Sequence, residues 1–104
     1  MIKLLRKTLR KWRDPQTHWL RENRKERMDA TRTDLFDPQR AAFHMDRYTF
    51  AAKFAANARV ADIACGTGYG SKILQDAGAA SVTGVDIDPD AVRYANATHG
   101  GQGV

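Results

Sequence analysis

The feature that most restricts the fold of this sequence is a short apolar run that leads directly into a glycine-rich loop. The run RVADIAC, residues 59–65, precedes GTGYG, residues 66–70. YGSKILQDAG, residues 69–78, has apolar residues at helical spacing and a glycine at its end, so it predicts a short helix. SVTGVDID, residues 81–88, predicts a second strand, and DAVRYANATH, residues 90–99, a further helix. The first strand is predicted to be buried, and strand, helix, strand and helix in close order predict an α/β fold whose βαβ unit holds a parallel sheet.

Helices are also predicted upstream of this unit. In residues 1–13, the apolar side chains recur at steps of three and four residues, with basic residues between them. A second helix is predicted to run through about Met28, and a third over about 38–56. Each of three Asp-Pro pairs predicts a helix start, because aspartate caps the first turn and proline suits its first position: Asp14-Pro15, Asp37-Pro38 and Asp88-Pro89.

The third of these helices carries an apolar stripe. Phe43, Phe50 and Phe54 fall on one face, together with Arg47. The stem of Arg47 can lie along this stripe while its charged end reaches water.

Charge divides the chain into two segments. The net charge is +5, but residues 1–32 hold eleven Lys and Arg against four Asp and Glu, and the remainder holds six against eight. We therefore expect a basic helical segment at 1–36 and an α/β domain at 37–104. The basic character belongs to the N-terminal segment of the sequence and not to the glycine loop, and it gives no specific signal for nucleic acid. Helix 1–13 is interpreted as a solvated basic face, and contact with a membrane surface or an acidic partner stays open.

Other function classes find little support in the composition. No run approaches the roughly 18 apolar residues of a membrane span, and no signal peptide is evident. The single cysteine, Cys65, excludes an internal disulfide, and we expect a packing role for it and a cytoplasmic protein. The three histidines lack metal-ligand spacing, so no metal site is predicted.

The loop predicts a small-molecule site at the carboxyl ends of the strands. Gly66 and Gly68 lack the Cβ atoms that would keep a ligand away, and they tolerate backbone angles closed to other residues. Asp62, near the end of the first strand, would repel a pyrophosphate and would suit an ammonium or sulfonium group. Asp86, twenty residues after Gly66, stands where a carboxylate accepts hydrogen bonds from a ribose diol, and Ile87 can pack on adenine.

Two stretches carry a family resemblance: VADIACGTGYGSKIL and, after it, VTGVDIDPDAVRYA. Together they resemble the cofactor half of a class I S-adenosylmethionine-dependent methyltransferase, of the methyltransferase-11-like branch. The upstream FHMDRYTFAAKFA is similar to the helix that precedes the first strand in that branch. The resemblance covers about residues 40–104 and implies a Rossmann-like parallel sheet with S-adenosyl-L-methionine as cofactor. Ala64 stands where many members have glycine. The cofactor-binding candidates are Arg47, Tyr48, Asp62, Ala64, Cys65, Gly66, Thr67, Gly68, Asp86 and Ile87.

The family sheet has seven strands in the order 3-2-1-4-5-7-6, and only the first two are recognisable here. Val104 falls where the third strand is expected, so the resemblance implies a truncated front portion (βαβα) preceded by N-terminal helices. No catalytic residue or methyl acceptor can be named, and we expect this chain to be inactive alone. The alternatives are a fragment of an NAD-dependent oxidoreductase, and an inactive truncated gene product or a docking module that works through its basic N-terminal helices.

Overall fold

A computed structural model describes residues 14–100. In this part of the chain, four helices accompany a two-stranded sheet: α1 (Pro15–Glu22), α2 (Pro38–Ala52), β1 (Arg59–Ile63), α3 (Tyr69–Asp76), β2 (Ser81–Val85) and α4 (Pro89–Thr98). The strands are parallel and in register from Arg59 opposite Ser81 to Ile63 opposite Val85. The predicted βαβα order is therefore confirmed. The predicted helix over residues 1–13 lies outside the described residues.

All three predicted Asp-Pro helix starts are confirmed. The side chains of Asp14, Asp37 and Asp88 each accept a hydrogen bond from a backbone N–H of the first turn, and a proline opens each helix. α3 differs, because Gly68 precedes it in a left-handed conformation without a side-chain cap. Its end follows the prediction, since Gly78 has a φ of 98° directly after the last turn.

α1 is shorter than predicted, because it ends at Glu22 and does not continue to Met28. The side-chain amide of Asn23 donates a hydrogen bond to the carbonyl of Trp19 at 2.8 Å and so caps the last turn. Residues 23–26 then turn, and Met28 enters the core. α2 is also shorter than predicted, since it ends at Ala52.

The core consists of two groups of buried side chains. One joins α1, the connector after it and helices α2, α3 and α4, through Leu20, Met28, Ala30, Phe36, Ala41, Tyr69 and Tyr94. The other packs α2 and α3 on one face of the sheet, through Ala55, Leu74 and Val82. The segment after residue 14 thus contributes to the same core as the α/β unit, and the domain boundary at residue 36 stays a prediction.

The prediction that β1 is buried is wrong, because most of its residues are partly or fully exposed. Burial alternates along each strand, and the face that carries Ala61, Ile63 and Val85 is exposed. The reason is that α2 and α3 cover only the face that includes Val82.

The apolar stripe on α2 is exposed as well: Phe43, Phe50 and Phe54 retain 69%, 62% and 70% of their accessible surface. Ala41 and the half-buried Tyr48 and Ala51 form the inward face instead. No helix within residues 14–100 has the length and apolarity needed to cross a membrane.

Candidate functional site

The carboxylate of Asp86 joins the carboxyl end of β2 to the glycine loop. The backbone N–H of Gly66 donates to its Oδ2 at 2.9 Å, and that of Asp88 donates to its Oδ1 at 2.9 Å. Burial by itself raises the pKa of Asp86, but these hydrogen bonds and the nearby Arg27 guanidinium outweigh burial and hold the pKa below its ordinary value. Asp86 is therefore an ionised acceptor at neutral pH.

Asp62 ties β1 to the two helices that cover the sheet. The hydroxyl of Ser71 in α3 donates to its Oδ2 at 2.7 Å, and the hydroxyl of Tyr48 in α2 donates to its Oδ1 at 3.2 Å. Burial, and next the charge of Asp62, raise the pKa of Tyr48, so its phenol stays protonated and can donate this bond. Asp62 lines a cavity of about 540 Å³ beside α2.

The backbone between β1 and α3 passes through three residues with positive φ. The φ angles are 63° at Ala64, 57° at Gly66 and 88° at Gly68. This left-handed conformation costs an L-residue roughly 1–2 kcal/mol, whereas glycine adopts it freely. The conformation explains on physical grounds why glycine suits position 64, and it leaves Ala64 strained.

Replacing Ala64 with glycine is expected to stabilise the protein by about 0.5–1 kcal/mol. The relief of the left-handed strain exceeds the entropy that glycine adds to the unfolded chain. Urea unfolding of the two proteins measures the difference. Ala61→Gly, in β1, is the matched control and is expected to destabilise, because no positive φ is relieved there. Destabilisation by both substitutions would contradict the assigned strain.

Gly66 and Gly68 have different surroundings. A Cβ built on Gly66 meets nothing nearer than the Arg27 guanidinium, which lies 4.0 Å away at ordinary van der Waals distance. A Cβ built on Gly68 would lie 2.6 Å from the Cβ of Ala95 and 3.2 Å from its Cα. Gly66 therefore presents bare backbone toward the Arg27 guanidinium, whereas Gly68 permits close packing of the loop against α4.

Gly70, in the first turn of α3, lies directly under the ring of Tyr48. A side chain at this position would displace that ring, which also contacts Tyr69 edge to face at a centroid distance of 5.5 Å. The small residue at position 70 thus allows Tyr48 to reach Asp62.

A cavity of about 180 Å³ lies over the glycine loop, between the connector after α1 and the N-terminal half of α2. Six of the ten predicted site residues line it: Arg47, Tyr48, Ala64, Cys65, Gly66 and Thr67. Its wall on the α2 side is basic, because Arg40, His44 and Arg47 follow one another at helical spacing. Burial, and then the charges of Arg47 and Arg40, lower the pKa of His44.

The other four predicted site residues do not line this cavity. Asp86 lies beneath Gly66 through its hydrogen bond, and Gly68 faces Ala95. Asp62 faces the hydroxyls of Tyr48 and Ser71. Ile87 is 99% exposed beyond the end of β2. Burial, and next the charges of Asp62 and Asp86, raise the pKa of the Cys65 thiol, which fits the predicted packing role better than nucleophilic chemistry.

Sequence reasoning missed the residues that approach the loop from the connector after α1. We call residues 27–29 the strap. The hydroxyl of Thr67 donates to the carbonyl of Met28 at 2.6 Å. The guanidinium of Arg27 lies 3.5 Å from Oδ1 of Asp86 and 3.3 Å from Oδ2 of Asp88. The mixed composition of this stretch gave no signal, since basic and polar residues are typical of any connector.

Asp29 anchors the far end of the strap. Its fully buried carboxylate accepts hydrogen bonds from the hydroxyl of Tyr94 at 2.8 Å and from the backbone of Thr31 at 2.9 Å, and it pairs with Nε2 of His99 at 2.6 Å. Burial raises the pKa of Asp29, but the bonds from His99, Thr31 and Tyr94 outweigh burial and leave the pKa lowered. The strap is therefore anchored to the middle and the C-terminal end of α4.

The lowered pKa values of Asp29 and Asp86 predict acid sensitivity. Both groups release their proton more readily in the folded state, so their stabilisation is present above the unfolded pKa of about 3.9 and is lost as the pH falls through the folded value. We expect the free energy of unfolding to decrease below about pH 4. Urea unfolding between pH 2.5 and 6 tests this, and Asp29→Asn should show a shallower decrease. An unchanged pH slope in that variant would contradict the role of Asp29.

Comparison with known proteins supports one family. Residues 60–104, from β1 to the end of the chain, match a family model described as a methyltransferase domain. Searches of curated proteins and of solved structures gave no match. The matched segment contains the glycine loop, the second strand and its terminal Asp86, in the parallel arrangement that the structure shows. Residues 60–104 are therefore similar to a methyltransferase domain, which supports a class I S-adenosylmethionine-dependent methyltransferase-like domain in this part of the chain.

Proposed function

We propose that the chain binds S-adenosyl-L-methionine over its glycine loop and serves a methyltransferase as a Rossmann-like cofactor-binding unit. The observation that carries this proposal is the position of Asp86 beneath Gly66, at the carboxyl end of a parallel strand. A carboxylate offers about four acceptor positions, and the backbone N–H groups of Gly66 and Asp88 use two of them. Apart from the long contact of 3.5 Å from the Arg27 guanidinium to Oδ1, two remain, which is the number that the two hydroxyls of a ribose require.

The surroundings of Asp86 fit the other parts of the same ligand. Gly66 has no side chain, so a ligand that enters beside Arg27 can approach the backbone closely. The exposed Ile87 offers an apolar surface to an adenine ring. Ala64, Cys65 and Thr67 line the adjoining cavity and would contact the methionine part.

Arg47 and Tyr48 are proposed to close the site from the α2 side, where both line the cavity. Asp62 contributes a negative charge near the cationic end of the ligand and holds Tyr48 in place. When bound, the cofactor supplies an electrophilic methyl group on its sulfonium. The residues of this chain bind and orient it, and the methyl acceptor is not assigned.

Binding of S-adenosylhomocysteine and of NAD to the 104-residue chain, measured by calorimetry, tests the proposal. S-adenosylhomocysteine is expected to bind. NAD is expected to bind much more weakly, because the carboxylate of Asp62 near the end of β1 would repel its diphosphate. Binding of NAD without binding of S-adenosylhomocysteine would overturn the proposal and favour an oxidoreductase.

A further inference from the structure

The carboxylate to which we assign the ribose is already occupied in part by another residue of the chain. The guanidinium of Arg27 lies 3.5 Å from Oδ1 of Asp86. It also lies above Gly66, 4.0 Å from the position of a Cβ there. A ribose that reaches Asp86 over Gly66 would have to enter the space that this side chain fills.

We propose that Arg27 gates the cofactor site: its guanidinium competes with the ribose for Asp86 and must move aside before the cofactor binds. This inference rests on the proposed function. It makes Arg27 a residue that sets the affinity for the cofactor, through the ion pair that it forms with Asp86 in this structure.

The distances indicate that the side chain moves and the backbone of the strap does not. The strap is held by short hydrogen bonds, from Thr67 to the Met28 carbonyl at 2.6 Å and from Tyr94 to Asp29 at 2.8 Å. The contacts of Arg27 are longer than the roughly 2.7–2.9 Å of a strong charge-assisted hydrogen bond. The Arg27 side chain is also 26% exposed, so water weakens its ion pairs. Displacing the side chain therefore costs much less than displacing the strap.

Asp88 provides a place for the displaced guanidinium. Its Oδ2 lies 3.3 Å from Arg27, and its side chain is 28% exposed against 4% for Asp86. Arg27 can rotate away from Asp86 and keep the ion pair with Asp88 nearer to solvent. The Arg27 side chain thus has two positions, one beside both Asp86 and Asp88 and one beside Asp88 alone. Its positive charge is paired with a carboxylate in both.

The test compares Arg27→Ala and Arg27→Gln with the unaltered chain in calorimetric binding of two ligands. S-adenosylhomocysteine carries a ribose and a carboxylate, whereas 5′-methylthioadenosine carries the ribose but no carboxylate. Because a partly exposed ion pair is weak, we expect both variants to bind both ligands roughly two- to fivefold more tightly. Arg93→Ala, which removes an equal charge from the exposed face of α4, is the control and should leave both affinities unchanged.

Each outcome of this comparison either supports or overturns the proposed gate. Equal tightening of both ligands in both Arg27 variants supports the gate. Weaker binding of S-adenosylhomocysteine with unchanged binding of methylthioadenosine overturns it, since Arg27 would then bind the ligand carboxylate. Unchanged binding of both ligands also overturns the gate and leaves the proposed function standing. If neither ligand binds to the unaltered chain or to the variants, the gate and the proposed function both fail.

Discussion

Replacing Asp86 with alanine is expected to weaken the binding of S-adenosylhomocysteine by about 1.5–3 kcal/mol, or roughly 10- to 150-fold in Kd. This is the range measured for hydrogen bonds to a charged group, and the proposed site loses both acceptors of the ribose at once. The lost acceptor also frees the backbone N–H groups of Gly66 and Asp88, so the loop loses the hydrogen bonds that hold its shape. Calorimetric titration of the folded variant measures the effect.

Asp88→Ala is the matched control for this substitution. Asp88 lies two residues away and also pairs with Arg27, but its carboxylate caps α4 and makes no contact with Gly66. We expect it to lower the stability of α4 by about 1 kcal/mol and, because it removes only the weak, partly exposed ion pair with Arg27, to leave the affinity within about threefold. Equal losses of affinity in the two variants would remove the ribose assignment, because a general loss of negative charge would then explain both.

Gly68→Ala is expected to destabilise the protein by about 2–4 kcal/mol. The new Cβ would lie 2.6 Å from the Cβ of Ala95 and 3.2 Å from its Cα, so the loop and α4 must separate. The cost of a left-handed alanine adds to that of overpacking. A domain of this size is stable by only about 5–15 kcal/mol in general, so a large share of the stability would be lost. Urea unfolding followed by circular dichroism measures it.

Gly66→Ala separates the two causes. Its φ of 57° is also left-handed, but no atom lies closer than 4.0 Å to the new Cβ. We expect a loss of about 1 kcal/mol in stability, together with weaker binding of S-adenosylhomocysteine because the Cβ enters the ligand space. Similar destabilisation by both substitutions would show that close packing against Ala95 is not the reason why position 68 requires glycine.

Local chemistry decided which elements form. The Asp-Pro pairs predict the starts of α1, α2 and α4 because a side-chain cap and a proline act within one turn. The apolar runs at β1 and β2, with a glycine-bounded helix between them, predict the parallel pair, because these signals also lie within short stretches of the sequence. The glycine loop and the acidic residue after β2 are readable because their spacing reflects backbone geometry, and the family match covers this segment.

Tertiary structure alone decided what the side chains face. The sequence contains the apolar stripe of α2 but not the fact that Tyr48 turns inward to Asp62 while Phe43 and Phe50 stay exposed. The sequence predicts that Asp62 contacts a ligand. In the structure, its carboxylate accepts hydrogen bonds from two hydroxyls that belong to different helices.

The contact between Arg27 and Asp86 joins positions 59 residues apart, and that between Asp29 and His99 joins positions 70 apart. No periodicity in the sequence predicts these two contacts. They form because α1 ends where Asn23 caps it and because Met28 packs in the core, which places the strap over the loop. The sequence by itself thus determined the strands, the loop and the acidic residue after β2, whose signals are local. Packing between distant segments decided that a strap from the N-terminal region lies over the loop and places a cation on that acid.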